Sequence, residues 1–174
     1  MAVTAFHSSR DGRDTSNPGQ SRTNSICLTD LMATCADLLG AKLPNNAGED
    51  SVSFLPALLG TAKEPLREAV VHHSINGSFA IRQGSWKLEL CPGSGGWSEP
   101  KPGGAQEKTL PPVQLYDLTT DPAEQYNVQA KHPEVVQQLT ALLKGYVASG
   151  RSTPGPKQKN DVAVDFEKRK RKGK

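Results

Sequence analysis

Apolar positions recur at helical spacing through Leu31, Cys35, Leu38 and Leu39, with Met32 beside them. Thr29 or Asp30 can cap the first turn and Gly40 stands at the natural stop, so a helix is predicted over about 30–39. A turn region, Pro44 to Asp50, follows, and then a short helical turn from Phe54 to Leu59 that ends at Gly60. After Pro65 the period shortens. Ala69–His73, Phe79–Arg82 and Trp86–Leu90 read as three strands, divided by Asn76-Gly77 and Gln83-Gly84-Ser85, both hairpin turn sequences. In the third, Trp86, Leu88 and Leu90 share one face while Lys87 and Glu89 share the other, the pattern of a half-buried strand. A fourth strand is predicted over Val113–Leu118 and a helix from about Pro133 to Val147, with Val135, Leu139, Leu142 and Tyr146 as its stripe. The order predicts an α+β fold of two layers, a four-stranded antiparallel sheet with one face covered by the C-terminal helix.

Between the third and fourth strands, residues 92–112 hold five Pro and five Gly, so a long loop is expected. Residues 1 to about 25 are polar and without period, and the stretch beyond Gly150 turns polar and basic; both are expected as disordered ends. The 174 residues, 35% hydrophobic and 5% aromatic, suffice for one modest core. No apolar run approaches the ~20 residues of a membrane span, and the N-terminus lacks the basic start and apolar stretch of a secretory leader. The formal charge of +3 is uneven. Residues 157–174 carry eight Lys/Arg against three Asp/Glu, leaving the rest of the chain acidic, so nucleic acid is not the expected partner. Lys168–Lys172 reads as a solubilising tail, or else as a grip on nucleic acid or an anionic surface.

Candidate chemistry is sparse. Adjacent His72 and His73 point to opposite faces of a strand, so they cannot share a metal without a bulge; one is expected buried and hydrogen-bonded, or facing a ligand. Arg82 and Lys87 on neighbouring strands either present two cations to an anion or form a solvated face with Glu89. Cys27, Cys35 and Cys91 have no CxxC spacing, and Cys35 lies on the apolar stripe, where a free thiol usually packs. Asp117, Asp121 and Glu124 read as a turn rather than a cation loop.

Three segments carry a resemblance. Leu115–Val128 (LYDLTTDPAEQYNV) resembles the LYDL-x-x-DP-x-E-x-x-N signature near the C-terminus of the arylsulfatase-type sulfatases. Ala80–Leu88 resembles the R-x-G-x-W-K-L strand pair that precedes it, and Cys27–Gly40 the family's D-L-x-x-T-x-x-x-L-x-G helix. Order and spacing agree over about residues 18–148. The resemblance implies a remnant of the end of an α/β alkaline-phosphatase-like domain over 26–64 and a C-terminal subdomain over 65–149, between a non-matching N-terminus over 1–25 and the basic disordered tail that composition indicates over 150–174. It implies sulfuric ester hydrolysis, with formylglycine and calcium as the complete enzyme's cofactors and a sulfated glycan or aryl sulfate as substrate. Complete members are often secreted, periplasmic or lysosomal. The C/S-x-P-x-R motif that yields formylglycine is absent, and Cys91–Gly95 lacks its Pro and Arg at the required places. A truncated, split or start-shifted gene product is therefore expected, inactive alone, with an N-terminal half as possible partner. His72, His73, Arg82 and Lys87 are expected to contact sulfated substrate; no catalytic residue and no metal ligand is assigned. The alternative is a non-catalytic module that binds sulfated glycans.

Overall fold

The computed structural model describes residues 25–167. It divides into two compact units: the chain up to Val70 with Gly150–Gln158, and Val71–Ser149 with the stretch from Lys159 onward. The readings of residues 1–24 and of the run Lys168–Lys172 lie outside the described residues.

In the first unit, helix α1 (Asp30–Leu38) has the expected span but buries the unexpected side. Asp30 and Thr34 are buried, whereas Leu31, Met32, Leu38 and Leu39 are between 45% and 80% exposed. Cys35 is exposed as well, so the packing role expected for its thiol is corrected. The cause is polar. The Asp30 carboxylate accepts from the backbone N–H of Cys27 at 2.9 Å and of Val52 at 3.0 Å, and pairs with the Arg67 guanidinium at 2.8 Å. Thr34 Oγ1 donates to Asp30 O at 2.6 Å and accepts from Phe54 N–H at 3.1 Å. Buried donors and acceptors must be satisfied, and this network needs the polar side of α1 turned inward. Gly40, at φ 64°, ends the helix in a left-handed turn, with Ala41 N–H donating to Ala36 O. Helix α2 (Leu55–Leu58) follows, its Ala57 buried with the preceding Phe54. Ser152 N–H donates to Asp50 Oδ1 at 2.8 Å and Thr153 Oγ1 to Glu49 O at 2.6 Å, so residues 150–158 are hydrogen-bonded onto the 44–50 turn.

The second unit is built on an antiparallel sheet in the order β1 (Val70–His73), β2 (Phe79–Gln83), β3 (Trp86–Glu89), β4 (Gln114–Asp117). This is the predicted meander. The register sets Ile81 opposite Leu88 and Leu88 opposite Leu115. All three are fully buried, as are Leu139 and Leu143 of helix α3 (Pro133–Ser149). Burying each such side chain contributes roughly 1.5–3 kcal/mol, so this row and the helix stripe form the core. Gln138 Nε2 of α3 donates to Gln83 Oε1 at 3.0 Å, which identifies the helix-covered face as that of Ile81 and Gln83. Phe166 lies on the same side, edge-on to Phe79 at 6.5 Å, and Lys144 pairs with Glu167 at 2.9 Å.

The LYDL-x-x-DP segment holds the fold together. Asp121 accepts from Gln125 and Tyr126 N–H, and Asn127 Oδ1 accepts from Leu115 N–H while its Nδ2 donates to Val113 O. Leu115 is fully buried and Leu118 half-buried.

Candidate functional site: the polar face of the sheet

Because strand neighbours alternate, the residues between Ile81, Leu88 and Leu115 project from the face away from α3. Arg82 sits opposite Lys87, Lys87 opposite Tyr116, and Glu89 opposite Gln114. Four candidate residues came from the sequence, and the structure gathers three of them here.

Lys87 is buried, and its ammonium lies 2.8 Å from Glu89 Oε1 and 2.5 Å from Glu124 Oε2. Burial works against the charge, but the hydrogen bonds the ammonium donates to Glu124 and Glu89 outweigh it and hold it above its usual pKa. Its charge is thus spent inside the protein. Arg82 differs. It is half-exposed, its Nε donates to Gly84 O at 3.1 Å, and among the described residues its two terminal nitrogens have no hydrogen-bond partner. Burial, and then the neighbouring Lys87 charge, bring His72 down from 6.5 to about 4, so its imidazole is neutral at physiological pH. His73 points away, exposed, with Nδ1 at 3.1 Å from Ser74 O and its ring 6.1 Å from Phe79.

Sequence reasoning missed Tyr116, Gln114 and the partnership of Glu124. Tyr116 OH donates to Gln114 Oε1 at 2.7 Å, while Gln114 Nε2 donates to Glu89 Oε2, Cys91 O and Gly93 O. Burial and then the Glu89 and Glu124 carboxylates push the phenol up to about 12, so it stays protonated and donating. Strand alternation in Gln114-Leu115-Tyr116 would have placed Gln114 and Tyr116 together on this face. Nothing in sequence couples Lys87 to Glu124.

The face therefore offers one free guanidinium, one neutral imidazole and a Lys87 ammonium shared between two carboxylates. That set can bind and orient an anion; it contains no activated nucleophile. Among the described residues no group of three or more His, Cys, Asp or Glu is arranged to hold a metal ion. No helix among them is long and apolar enough to cross a membrane.

No family model matches the chain. It is 37% identical over 118 residues to an N-acetylgalactosamine-6-O-sulfatase of Bacteroides thetaiotaomicron, covering 66% of this chain and 22% of that protein. It is 36% identical over 127 residues to arylsulfatase A of Homo sapiens, covering 65% of this chain and 25% of the relative. A solved structure from work on glycosaminoglycan metabolism by Bacteroides thetaiotaomicron matches at a TM-score of 0.52 and 35% identity, over 67% of this chain and 24% of that one. The chain spans about a quarter of the length of these relatives.

Proposed function

From the premise that this chain is homologous to the C-terminal portion of the sulfatases, we propose that it serves sulfuric ester hydrolysis as a substrate-facing region, beside an α/β domain that carries the chemistry. The observation behind this reading is the 37% identity to a sulfatase over 118 residues, in a sequence with no C/S-x-P-x-R string. Formylglycine and calcium do not fit the residues present. None of Cys27, Cys35 and Cys91 has a Pro two places on and an Arg four places on, and no acidic cluster among the described residues is arranged as a cation site. No step of the hydrolysis is assigned to this chain.

Its own residues bind. Arg82 gives two N–H donors to a sulfate, which a planar guanidinium can contact in bidentate fashion. Neutral His72 exchanges a hydrogen bond with substrate without adding charge, and His73 lies at the strand end. Lys87 acts at one remove, by fixing Glu89 and Glu124 beneath the face. The partner is a sulfated glycan or aryl sulfate held jointly with a catalytic half.

The purified chain with calcium is expected to turn over no nitrophenyl sulfate beyond a heat-killed control. Turnover above that control sinks the assignment. The free guanidinium also favours the non-catalytic reading, in which the chain holds a sulfated glycan. Arg82→Gln then abolishes retention on a heparin-like matrix; if deletion beyond Glu167 abolishes it instead, the basic terminus is responsible.

A further inference from the structure

The β1–β2 turn, Ser74-Ile75-Asn76-Gly77-Ser78, holds the only Asn-Gly step in the chain. Gly77 N–H donates to Ser74 O at 2.9 Å, and Gly77 takes φ 76°, which closes the hairpin. Asn76 is exposed, and a Cβ at Gly77 would meet nothing within 4 Å, so the step is open to water.

Three donors converge on Asn76 Oδ1: Ser78 Oγ at 2.7 Å, Ser74 Oγ at 2.8 Å and Ser78 N–H at 2.9 Å. A backbone N–H can only donate, so the atom that receives it is the amide oxygen. Ser78 is 4% exposed, which holds its two donors in place. Its N–H bond to Oδ1 closes an Asx-turn through Gly77 N and folds the Asn76 side chain back over the peptide that follows it. Donors at these distances draw electrons from the carbonyl carbon and stabilise the negative charge its oxygen acquires under nucleophilic attack. Covalent geometry supplies the nucleophile. Gly77 N and the Asn76 atoms C, Cα, Cβ and Cγ close a five-membered ring, and glycine has no side chain to crowd that closure.

We propose that Asn76 is a self-modification site, converted to aspartate and isoaspartate through a succinimide with Gly77. As the exposed turn opens locally, Gly77 N–H leaves Ser74 O. Gly77 N then loses its proton to water and bonds Cγ, and the Oδ1 oxyanion sits among its three donors. The Cγ–Nδ2 bond breaks, and the amide nitrogen leaves as ammonia with that proton returned from water. Water adds to either imide carbonyl, giving aspartate or isoaspartate. Isoaspartate carries the main chain through the former side chain and lengthens the turn by one methylene. Asn76 N–H ties the turn to the β3–β4 loop through Gly95 O at 3.2 Å, so conversion loosens that tie.

The full chain is incubated at neutral pH and sampled over time. Peptide mapping by mass spectrometry locates the conversion, and labelling by an isoaspartate methyltransferase measures the isoaspartate formed. Asn76 is expected to convert ahead of Asn45, Asn46, Asn127 and Asn160. In the folded chain Ser78→Ala is expected to slow conversion about tenfold or more and Ser78→Thr to keep the parent rate, while in urea all three chains convert alike. Ser74→Ala, which removes a donor from a half-buried position, is expected to slow it as well and replaces Ser78→Ala if circular dichroism shows that variant unfolded. An Asn76 that stays an amide in the folded chain yet converts in urea overturns the proposal, because the turn then protects it. Parent-rate conversion in both folded alanine variants, or a slowing that persists in urea, overturns it too.

Discussion

Lys87 Nζ on β3 lies 2.5 Å from Glu124 Oε2, joining residues 37 apart in the chain. Glu124 reaches it from a left-handed backbone, φ 57°, the only described non-glycine residue with a positive φ. That conformation costs about 1–2 kcal/mol for a residue with a Cβ, so the ion pair and the Asp121 turn hold the segment after β4 in place.

Removing the ammonium is therefore expected to cost more than removing one carboxylate. Lys87→Met leaves Glu89 and Glu124 facing each other in a partly buried site and lowers stability by about 2–3 kcal/mol. Glu124→Gln keeps the Glu89 pair and costs about 1 kcal/mol. Urea denaturation midpoints check the order, and a Lys87→Met chain as stable as the parent refutes the lock.

His72 makes stability depend on pH in a defined window. Its pKa is about 4 in the folded chain and 6.5 when unperturbed, so between these values the unfolded state binds the extra proton. Stability contributed by the neutral imidazole is complete above pH 6.5, falls as pH drops toward 4, and levels off below. His72→Gln is expected to flatten the thermal midpoint across that window. An unchanged slope contradicts the assignment.

The Asp30–Arg67 pair, 2.8 Å apart with both side chains buried, organises the first unit. Arg67→Met strands a buried carboxylate and is expected to cost about 3–5 kcal/mol in urea denaturation. A loss under about 1 kcal/mol, the scale of an exposed pair, contradicts that role.

The outer side of α1 displays Leu31, Met32, Leu38 and Leu39. Such a patch predicts association. The chain is expected to elute as more than a monomer in light-scattering chromatography, and Leu38→Glu with Leu39→Glu to shift it toward the monomer. A parent chain that is a monodisperse monomer counts against an exposed docking face.

Period and turn chemistry made most of the fold legible. The alternation in Trp86–Leu90, the hairpin glycines and the stripe through Leu139 placed the sheet and α3 correctly, because one buried face dictates them. The orientation of α1 was not legible. Its apolar stripe suggested the buried side, while the decisive force was the Asp30 network, whose partners Val52 and Arg67 lie 22 and 37 residues away. The site was half legible for the same reason: Arg82 and Lys87 were placed on one face, but the long-range Glu124 contact that separates a spent cation from a free one leaves no local mark.

Reconstitution tests the functional reading most directly. An α/β sulfatase domain carrying matured formylglycine, but lacking its own C-terminal region, would be expressed with and without this chain and assayed on a sulfated sugar. The account predicts turnover only with both parts present, falling about tenfold or more when this chain carries Arg82→Gln. Turnover by this chain alone, or equal turnover by the catalytic domain without it, would contradict the account.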